Sequence, residues 1–137
     1  MSDDETIARL LADADTWAVV GWSPRPGRAS GSVARFLHDH GKRVLPVNPD
    51  FVGQESGLDA PVVASLADLG EPVDVVDVFR RSEFAGAVVD EAVAIGAGAV
   101  WMQLGVIDAD AAERARAAGL DVVVDRCPAI EWRHHAA

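Results

Sequence analysis

Short apolar runs alternate with segments of helical spacing along most of the chain. Five runs rich in valine predict β-strands, because each is apolar and is bounded by glycine, proline or polar residues. They lie at residues 16–21, 43–47, 73–79, 99–104 and 120–125. Apolar positions three and four residues apart predict helices over residues 6–14, 30–40, 82–95 and 108–118. Ser82 is the expected N-cap of its helix.

This alternation of strands and helices predicts an α/β protein with a three-layer, Rossmann-like fold. Its sheet is expected to be mainly parallel and five-stranded, with helices on both faces. Residues 50–71 are predicted to be irregular, apart from a very short strand at Val62-Val63 and one helical turn at residues 65–69. Residues 1–137 are expected to form one domain, with an N-terminal helix within 1–15, a core over 16–131 and a tail without periodicity at 132–137.

The loop after the first predicted strand carries the clearest chemical signal. The strand ends at Gly21, a loop with Arg25 and Arg28 follows, and Ser30 opens a helix. Loop amides and the first N–H groups of a helix bind anions, and the helix dipole favours negative charge there. Guanidinium groups add a geometry suited to phosphate. The segment therefore predicts a phosphate-bearing ligand such as a nucleotide.

Composition narrows the class of protein. The 137 residues carry a net charge of −10, with a pI near 4.6, and this acidity argues against a nucleic-acid partner. Cys127 is the only cysteine, so an intramolecular disulfide is excluded. The acidic start of the chain has no signal-peptide pattern, and no apolar run approaches the ~20 residues that a membrane span needs. We therefore expect a cytoplasmic protein without membrane partners.

Several motifs, taken in order, resemble the family of small, stand-alone CoA-binding domain proteins. These proteins are similar to the CoA-binding domain of the succinyl-CoA synthetase α subunit. The motifs are Val-Gly-Trp-Ser at 20–23, Arg-Ala-Ser at 28–30, Pro-Val-Asn-Pro at 46–49, Val-Asp-Val-Phe-Arg-Arg at 76–81, Trp-Met-Gln-Leu-Gly-Val at 101–106 and Asp-Arg-Cys-Pro at 125–128. The resemblance implies a Rossmann-like fold that binds coenzyme A across the ends of its strands.

The resemblance also implies which residues contact coenzyme A. The loop from Gly21 to Ser30 would hold the phosphates, the segments at 48–49 and 79–80 would border the adenosine, and residues 103–106 would border the pantetheine or pyrophosphate. Either arginine of the pair at 80–81 would suit the 3′-phosphate, because a guanidinium binds phosphate in a bidentate manner. The expected contacts are Gly21, Trp22, Ser23, Arg28, Ser30, Asn48, Pro49, Phe79, Arg80, Arg81, Gln103 and Gly105.

The resulting interpretation is a CoA-binding or acyl-CoA-binding protein that is not catalytic as a lone chain. A homodimer or another protein partner stays open. One alternative is a subunit of an acyl-CoA ligase or transferase, although none of the four histidines lies in a phosphohistidine motif. The other is an NAD(P)-binding module. The loop does not spell Gly-x-Gly-x-x-Gly, but Asp50, after the second strand, is placed to hold a ribose diol.

Titratable and aromatic side chains on the strands complete the sequence-based expectations. Asp74 and Asp77 should face opposite sides of their strand and, as strand-end carboxylates, hydrogen-bond to loops. Cys127 is a candidate redox thiol that would form a mixed disulfide with CoA, the alternative being an inert, half-buried thiol. Trp17 and Trp101 are expected in the core. No metal site is expected, because no cluster shows ligand spacing.

Overall fold

The computed structural model describes residues 2–135, in which the strands form one parallel sheet. The five strands found there run in the spatial order β2-β1-β3-β4-β5. This result confirms the predicted α/β class and the five-stranded parallel sheet, in which four of the five strands are slightly shorter than the apolar runs. The strands are β1 (Thr16–Val20), β2 (Arg43–Val47), β3 (Val75–Val78), β4 (Ala99–Met102) and β5 (Asp121–Val123).

Helices cover both faces of the sheet, as the apolar strands require. Within residues 2–135, none of the helices is long and apolar enough to cross a membrane. Three helices (α1, α2 and α5) pack on one face and two (α3 and α4) pack on the other. Their bounds are α1 (Asp3–Asp13), α2 (Ala29–Asp39), α3 (Ser82–Ala94), α4 (Ala109–Ala117) and α5 (Pro128–His135).

Two apolar cores lie on the two sides of the sheet, because alternate strand residues point to opposite faces. Trp17 and Trp101 are fully buried under α1, α2 and α5, with ring centroids 5.6 Å apart. Both tryptophans are therefore core residues, as predicted. The other face buries valine and alanine side chains of β1 and β3 against α3 and α4.

Helix α5 is the main element that the sequence analysis missed. Residues 126–137 show no apolar periodicity and no helix is predicted there, yet residues 128–135 are helical. Residues 136 and 137 lie outside the described residues. Proline at the first helical position suits a helix start, and the Trp132 ring packs edge-on against Phe36 of α2 at 5.9 Å. Tertiary packing, rather than local pattern, therefore fixes this helix.

The N-cap of α3 and the start of α1 also differ from the predicted ones. Arg81, not Ser82, is the N-cap of α3. The Ser82 hydroxyl instead donates to the carbonyl of Gly105 at 3.2 Å and accepts from the amide of Ile107 at 2.9 Å. Helix α1 starts at Asp3, three residues before the prediction, because Ser2 caps it by accepting from the Glu5 amide. Side-chain hydrogen bonds thus decide boundaries that apolar spacing leaves open.

The irregular segment between β2 and β3 matches its prediction closely. Val63 forms an isolated parallel bridge with Val47 of β2, where a very short strand was expected. Residues Leu66–Asp68 form a 3₁₀ turn capped by Ser65, where one helical turn was expected. A further 3₁₀ turn, Pro49–Phe51, follows β2. Of these short elements, the turn Pro49–Phe51 borders the site described next, because Asp50 and Phe51 line its cleft.

Candidate functional site

The order of the strands creates a crevice at the carboxyl ends of β1 and β3. The chain leaves β1 for β2 on one side and later enters β3 on the other side, and ligands of open α/β sheets bind at such switch points. A cleft of about 320 Å³ lies there. Six of the predicted contacts line it, together with four residues that were not among them. The lining residues are Gly21, Ser23, Arg28, Ser30, Asn48 and Phe79, with Arg25, Ala29, Asp50 and Phe51.

Gly21 lets the loop pass directly over the end of β3. Its φ of +93° lies in the left-handed region, and a Cβ at this position would sit 2.6 Å from the carbonyl oxygen of Phe79. The Gly21 amide donates to the carbonyl of Val47 at 2.8 Å. A single glycine therefore joins the ends of β1, β2 and β3 and forms the floor of the cleft.

Gly31 marks a second place where two backbone segments lie close together, and it is not among the predicted contacts. A Cβ on Gly31 would lie 2.6 Å from the carbonyl oxygen of Ser23. The first turn of α2 therefore packs against the loop backbone, as the third glycine of a dinucleotide fingerprint allows. The signal was present in the sequence as Gly21, Gly27 and Gly31, a more widely spaced series than the usual fingerprint.

The N-terminus of α2 is open toward the cleft. Its N-cap, Arg28, makes no side-chain bond to the first-turn amides, and no acidic residue lies in that turn. The other four helices each carry at least one carboxylate in the first turn. Since the first amides of a helix have no intrahelical acceptor and favour negative charge, α2 is the helix of the described residues whose start best suits an external anion.

Two arginines add positive charge beside this helix start. Within residues 2–135, Arg25 and Arg28 form no ion pair with a carboxylate, and both are exposed. The Arg25 guanidinium lies 5.3 Å from the centre of the Phe51 ring. Arg25 and Phe51 were not predicted as contacts, and proximity in the fold rather than motif position brings them to the cleft. A ligand phosphate would find two guanidinium groups without competing carboxylate partners.

Both polar atoms of the Asn48 side-chain amide form hydrogen bonds beside the cleft. Its Nδ2 donates to the carbonyl of Trp22 at 2.9 Å, and its Oδ1 accepts from the amide of Asp50 at 2.9 Å. Pro49 lies between them and starts the 3₁₀ turn after β2. Trp22 is buried, meets Phe51 edge-on at 6.3 Å, and lines a second cleft, of about 410 Å³, on the other side of the loop.

The remaining predicted contacts lie outside the first cleft. The Arg80 guanidinium stacks over Phe84 at 4.9 Å, whereas the largely exposed Arg81 lies 3.7 Å from a Glu83 oxygen. Gln103 is buried after β4, and its Oε1 finds no hydrogen-bond donor among residues 2–135. The Gly105 amide donates to Asp125 at 2.7 Å. These residues follow β3 and β4, so they occupy the same edge of the sheet beyond the cleft.

Two side chains that the sequence singled out, Asp77 and Cys127, lie in the core beneath α1, α2 and α5. Asp77 on β3 is 0% exposed, and neither carboxylate oxygen has a hydrogen-bond donor in the described part of the chain. Burial raises the pKa of the Asp77 carboxyl well above its ordinary value. The expectation that Asp77 bonds to a loop is therefore wrong, whereas Asp74 does accept from the amides of residues 15 and 16. Cys127 is buried, and its redox role remains a hypothesis.

Comparison with known proteins agrees with this geometry. Residues 15–133 match a family described as a CoA binding domain. An uncharacterized protein, YneT, of Bacillus subtilis strain 168 is 35% identical over 121 residues, which cover 88% of this chain and 87% of that protein. A protein of Thermus thermophilus has a similar structure, with a TM-score of 0.90, 41% identity and coverage of 98% of this chain and 99% of that one. A hypothetical protein of Pyrococcus horikoshii OT3 gives a TM-score of 0.90, 33% identity and coverage of 98% and 92%.

Proposed function

The chain belongs to the CoA binding domain family, and from that premise we propose that it binds coenzyme A or an acyl-CoA without catalysing a reaction as a lone chain. The observation that carries the proposal is the open N-terminus of α2, which has no capping side chain and no first-turn carboxylate. It faces a cleft at the switch point of the sheet. A diphosphate group supplies the negative charge that such a helix start favours.

The arginines and the loop amides would hold the diphosphate. Arg28 and Ser30 lie at the start of α2, and Ser23 lies in the loop between Gly21 and that helix. A hydrogen bond between charged partners contributes about 1.5–3 kcal/mol. Because about 1.4 kcal/mol corresponds to a tenfold change in affinity, we expect Arg28→Ala to weaken CoA binding about tenfold or more.

Calorimetric titration of the purified protein, after removal of any copurified ligand, tests the proposal. CoA is expected to bind saturably, and more tightly than NAD or NADP. Arg116→Ala is the matched control: it also removes one positive charge, from the exposed face of α4, where Arg116 pairs with Glu113. The control should bind CoA as the wild type does. Equal loss of affinity in both variants, or no loss in Arg28→Ala, would overturn the assignment of the phosphate site.

The adenosine end is assigned to the segments that follow β2 and β3. Asn48, Pro49 and Phe79 border the cleft or adjoin it, and Arg80 and Arg81 lie just beyond Phe79. One of these two arginines would bind the 3′-phosphate. Comparing CoA with dephospho-CoA distinguishes Arg80 from Arg81. The alanine variant that removes the true 3′-phosphate contact should lose its preference for CoA over dephospho-CoA. The pantetheine would continue toward Gln103 and Gly105.

An NAD(P)-binding function is the second candidate, and a single observation favours it. Asp50 lines the cleft at the end of β2, where an acidic side chain holds the ribose diol of NAD. The same titration separates the two functions. Tighter binding of NAD than of CoA, lost in Asp50→Ala, would replace the CoA proposal.

A further inference from the structure

Helices α1 and α5 bring three metal-ligating side chains together. Asp4 lies in the first turn of α1, and Glu131 and His135 lie one turn apart on α5. One oxygen of each carboxylate and one imidazole nitrogen all lie within 4.8 Å of one another. Because α1 and α5 pack against each other, this cluster joins the two ends of the described chain.

The α5 pair already has nearly the spacing that a metal ion requires. Glu131 Oε1 and His135 Nε2 are 3.7 Å apart. Ligand atoms around a tetrahedral Zn²⁺ with bonds near 2.1 Å lie roughly 3.4 Å from one another. The exposed Asp4 carboxylate makes no hydrogen bond or ion pair within residues 2–135, so rotation of its side chain can close the remaining distance.

Two independent features of the surroundings favour a cation. Glu131 is only 7% exposed, and a carboxylate removed from water needs a positive partner. His135 lies in the last turn of α5, where the helix dipole favours positive charge. Arg126 supplies part of this charge, because its Nη1 lies 3.1 Å from Glu131 Oε1, and a metal ion would share the carboxylate with it.

We propose that Asp4, Glu131 and His135 bind a divalent transition-metal ion of the Zn²⁺ class, which ties α1 to α5. An imidazole nitrogen combined with carboxylate oxygens suits Zn²⁺ and its neighbours, whereas Mg²⁺ and Ca²⁺ prefer oxygen ligands alone. No metal site is expected from the sequence, because α5 is not predicted and Glu131 and His135 are therefore not placed on one helical face. Asp4 joins them only through the fold.

Titration of the untagged full chain with Zn²⁺, after removal of metal by a chelator and of the chelator by dialysis, tests the site. One ion should bind saturably, and the temperature of unfolding should rise with Zn²⁺, because a ligand of the folded state stabilises it. Asp4→Asn and His135→Ala should each weaken binding about tenfold or more. His134→Ala is the matched control: it removes the exposed neighbouring imidazole and should leave both readouts unchanged.

Arg126→Gln provides a test in the opposite direction. Loss of the competing guanidinium should tighten Zn²⁺ binding, an effect that partial unfolding of a variant cannot imitate. The proposal is overturned by the absence of saturable Zn²⁺ binding, by binding that survives both Asp4→Asn and His135→Ala, or by equal loss in His134→Ala. It is also overturned if Mg²⁺ binds as tightly as Zn²⁺ and competes with it.

Discussion

Asp77 places a carboxyl group in the middle of the sheet, where β1 and β4 flank it on either side. Its strand neighbours in register are Val19 and Trp101, both fully buried. A carboxylate in this position would lack both water and hydrogen-bond donors from the described chain. Because burial disfavours the charged form, the folded protein holds Asp77 in its neutral form over a wider pH range than the unfolded chain does.

This difference predicts how stability depends on pH. The unfolded pKa of an aspartate is about 3.9, and the folded pKa of Asp77 is raised above it. The contribution of neutral Asp77 to the free energy of unfolding is therefore complete below the unfolded pKa. It is lost as the pH rises through the folded pKa, by up to about 1.4 kcal/mol per pH unit. We expect Asp77→Asn to remove this loss, so that its free energy of unfolding, relative to the wild type, increases with pH.

Urea unfolding of both proteins between about pH 5 and pH 8 measures the effect, because the free energy of unfolding is read from the linear denaturant dependence. Glu55→Gln, at an exposed position in the loop after β2, serves as the control and should parallel the wild type. A constant difference between wild type and Asp77→Asn across the pH range would show that Asp77 ionises equally in the folded and unfolded chains.

Among single residues, the sequence was most informative where backbone geometry demands a particular type. Gly21 was predicted from the motif, and the close approach to Phe79 explains why a glycine stands there. The prediction that Asp77 bonds to a loop is wrong, because the sequence indicates its position on the strand but not its lack of a hydrogen-bond partner. Hydrogen-bond partners depend on which elements pack over a strand, and spacing along the chain does not encode that.

At the scale of elements, the contact between α2 and the loop before it is the feature most open to test. Gly31→Ala adds a methyl group 2.6 Å from the rigid carbonyl oxygen of Ser23. The greater helix propensity of alanine, about 1 kcal/mol, opposes this clash, and we expect the clash to dominate, at a net cost of about 1–2 kcal/mol. Displacement of the loop should also weaken CoA binding, about tenfold.

Gly86→Ala in α3 is the matched control for this substitution. Its added methyl group would approach side-chain atoms, Asp108 Oδ2 at 3.2 Å and Arg114 Nη2 at 3.4 Å, whereas the methyl group on residue 31 would meet backbone at 2.6 Å. Thermal unfolding should show that Gly86→Ala is neutral or stabilising, whereas Gly31→Ala is destabilising. Equal stability of the two variants would mean that the loop yields easily and that α2 does not fix its position.

The predicted and observed elements, compared one by one, show which kinds of element the sequence does not reveal. β2 was predicted to the residue, since an apolar run between polar residues marks a buried parallel strand. Helix α5 was missed, because its buried side consists of contacts such as Trp132 with Phe36 rather than a continuous apolar stripe. The same failure hid the relation between Glu131 and His135, which becomes visible only once residues 128–135 are known to be helical.

For the whole molecule, the net charge of −10 opposes compaction, whereas Arg25 and Arg28 place positive charge at the cleft. Like charges on a folded surface repel one another, and salt screens this repulsion over a Debye length of about 10 Å at 0.1 M. Raising NaCl from about 0.05 M to about 1 M should therefore stabilise the fold. A gain of about 1 kcal/mol corresponds to a rise of about 4 °C in the unfolding temperature of a chain of this length.

Salt should act in the opposite direction on CoA binding, because the same ions screen the attraction between Arg25, Arg28 and the ligand phosphates. We expect the affinity for CoA to fall over the salt range in which Tm rises. Dephospho-CoA, which carries fewer charges, should show the weaker salt dependence. Parallel thermal unfolding and calorimetric titration measure both trends. If affinity for CoA rose together with Tm, binding would depend on the overall stability of the fold rather than on charge at the N-terminus of α2.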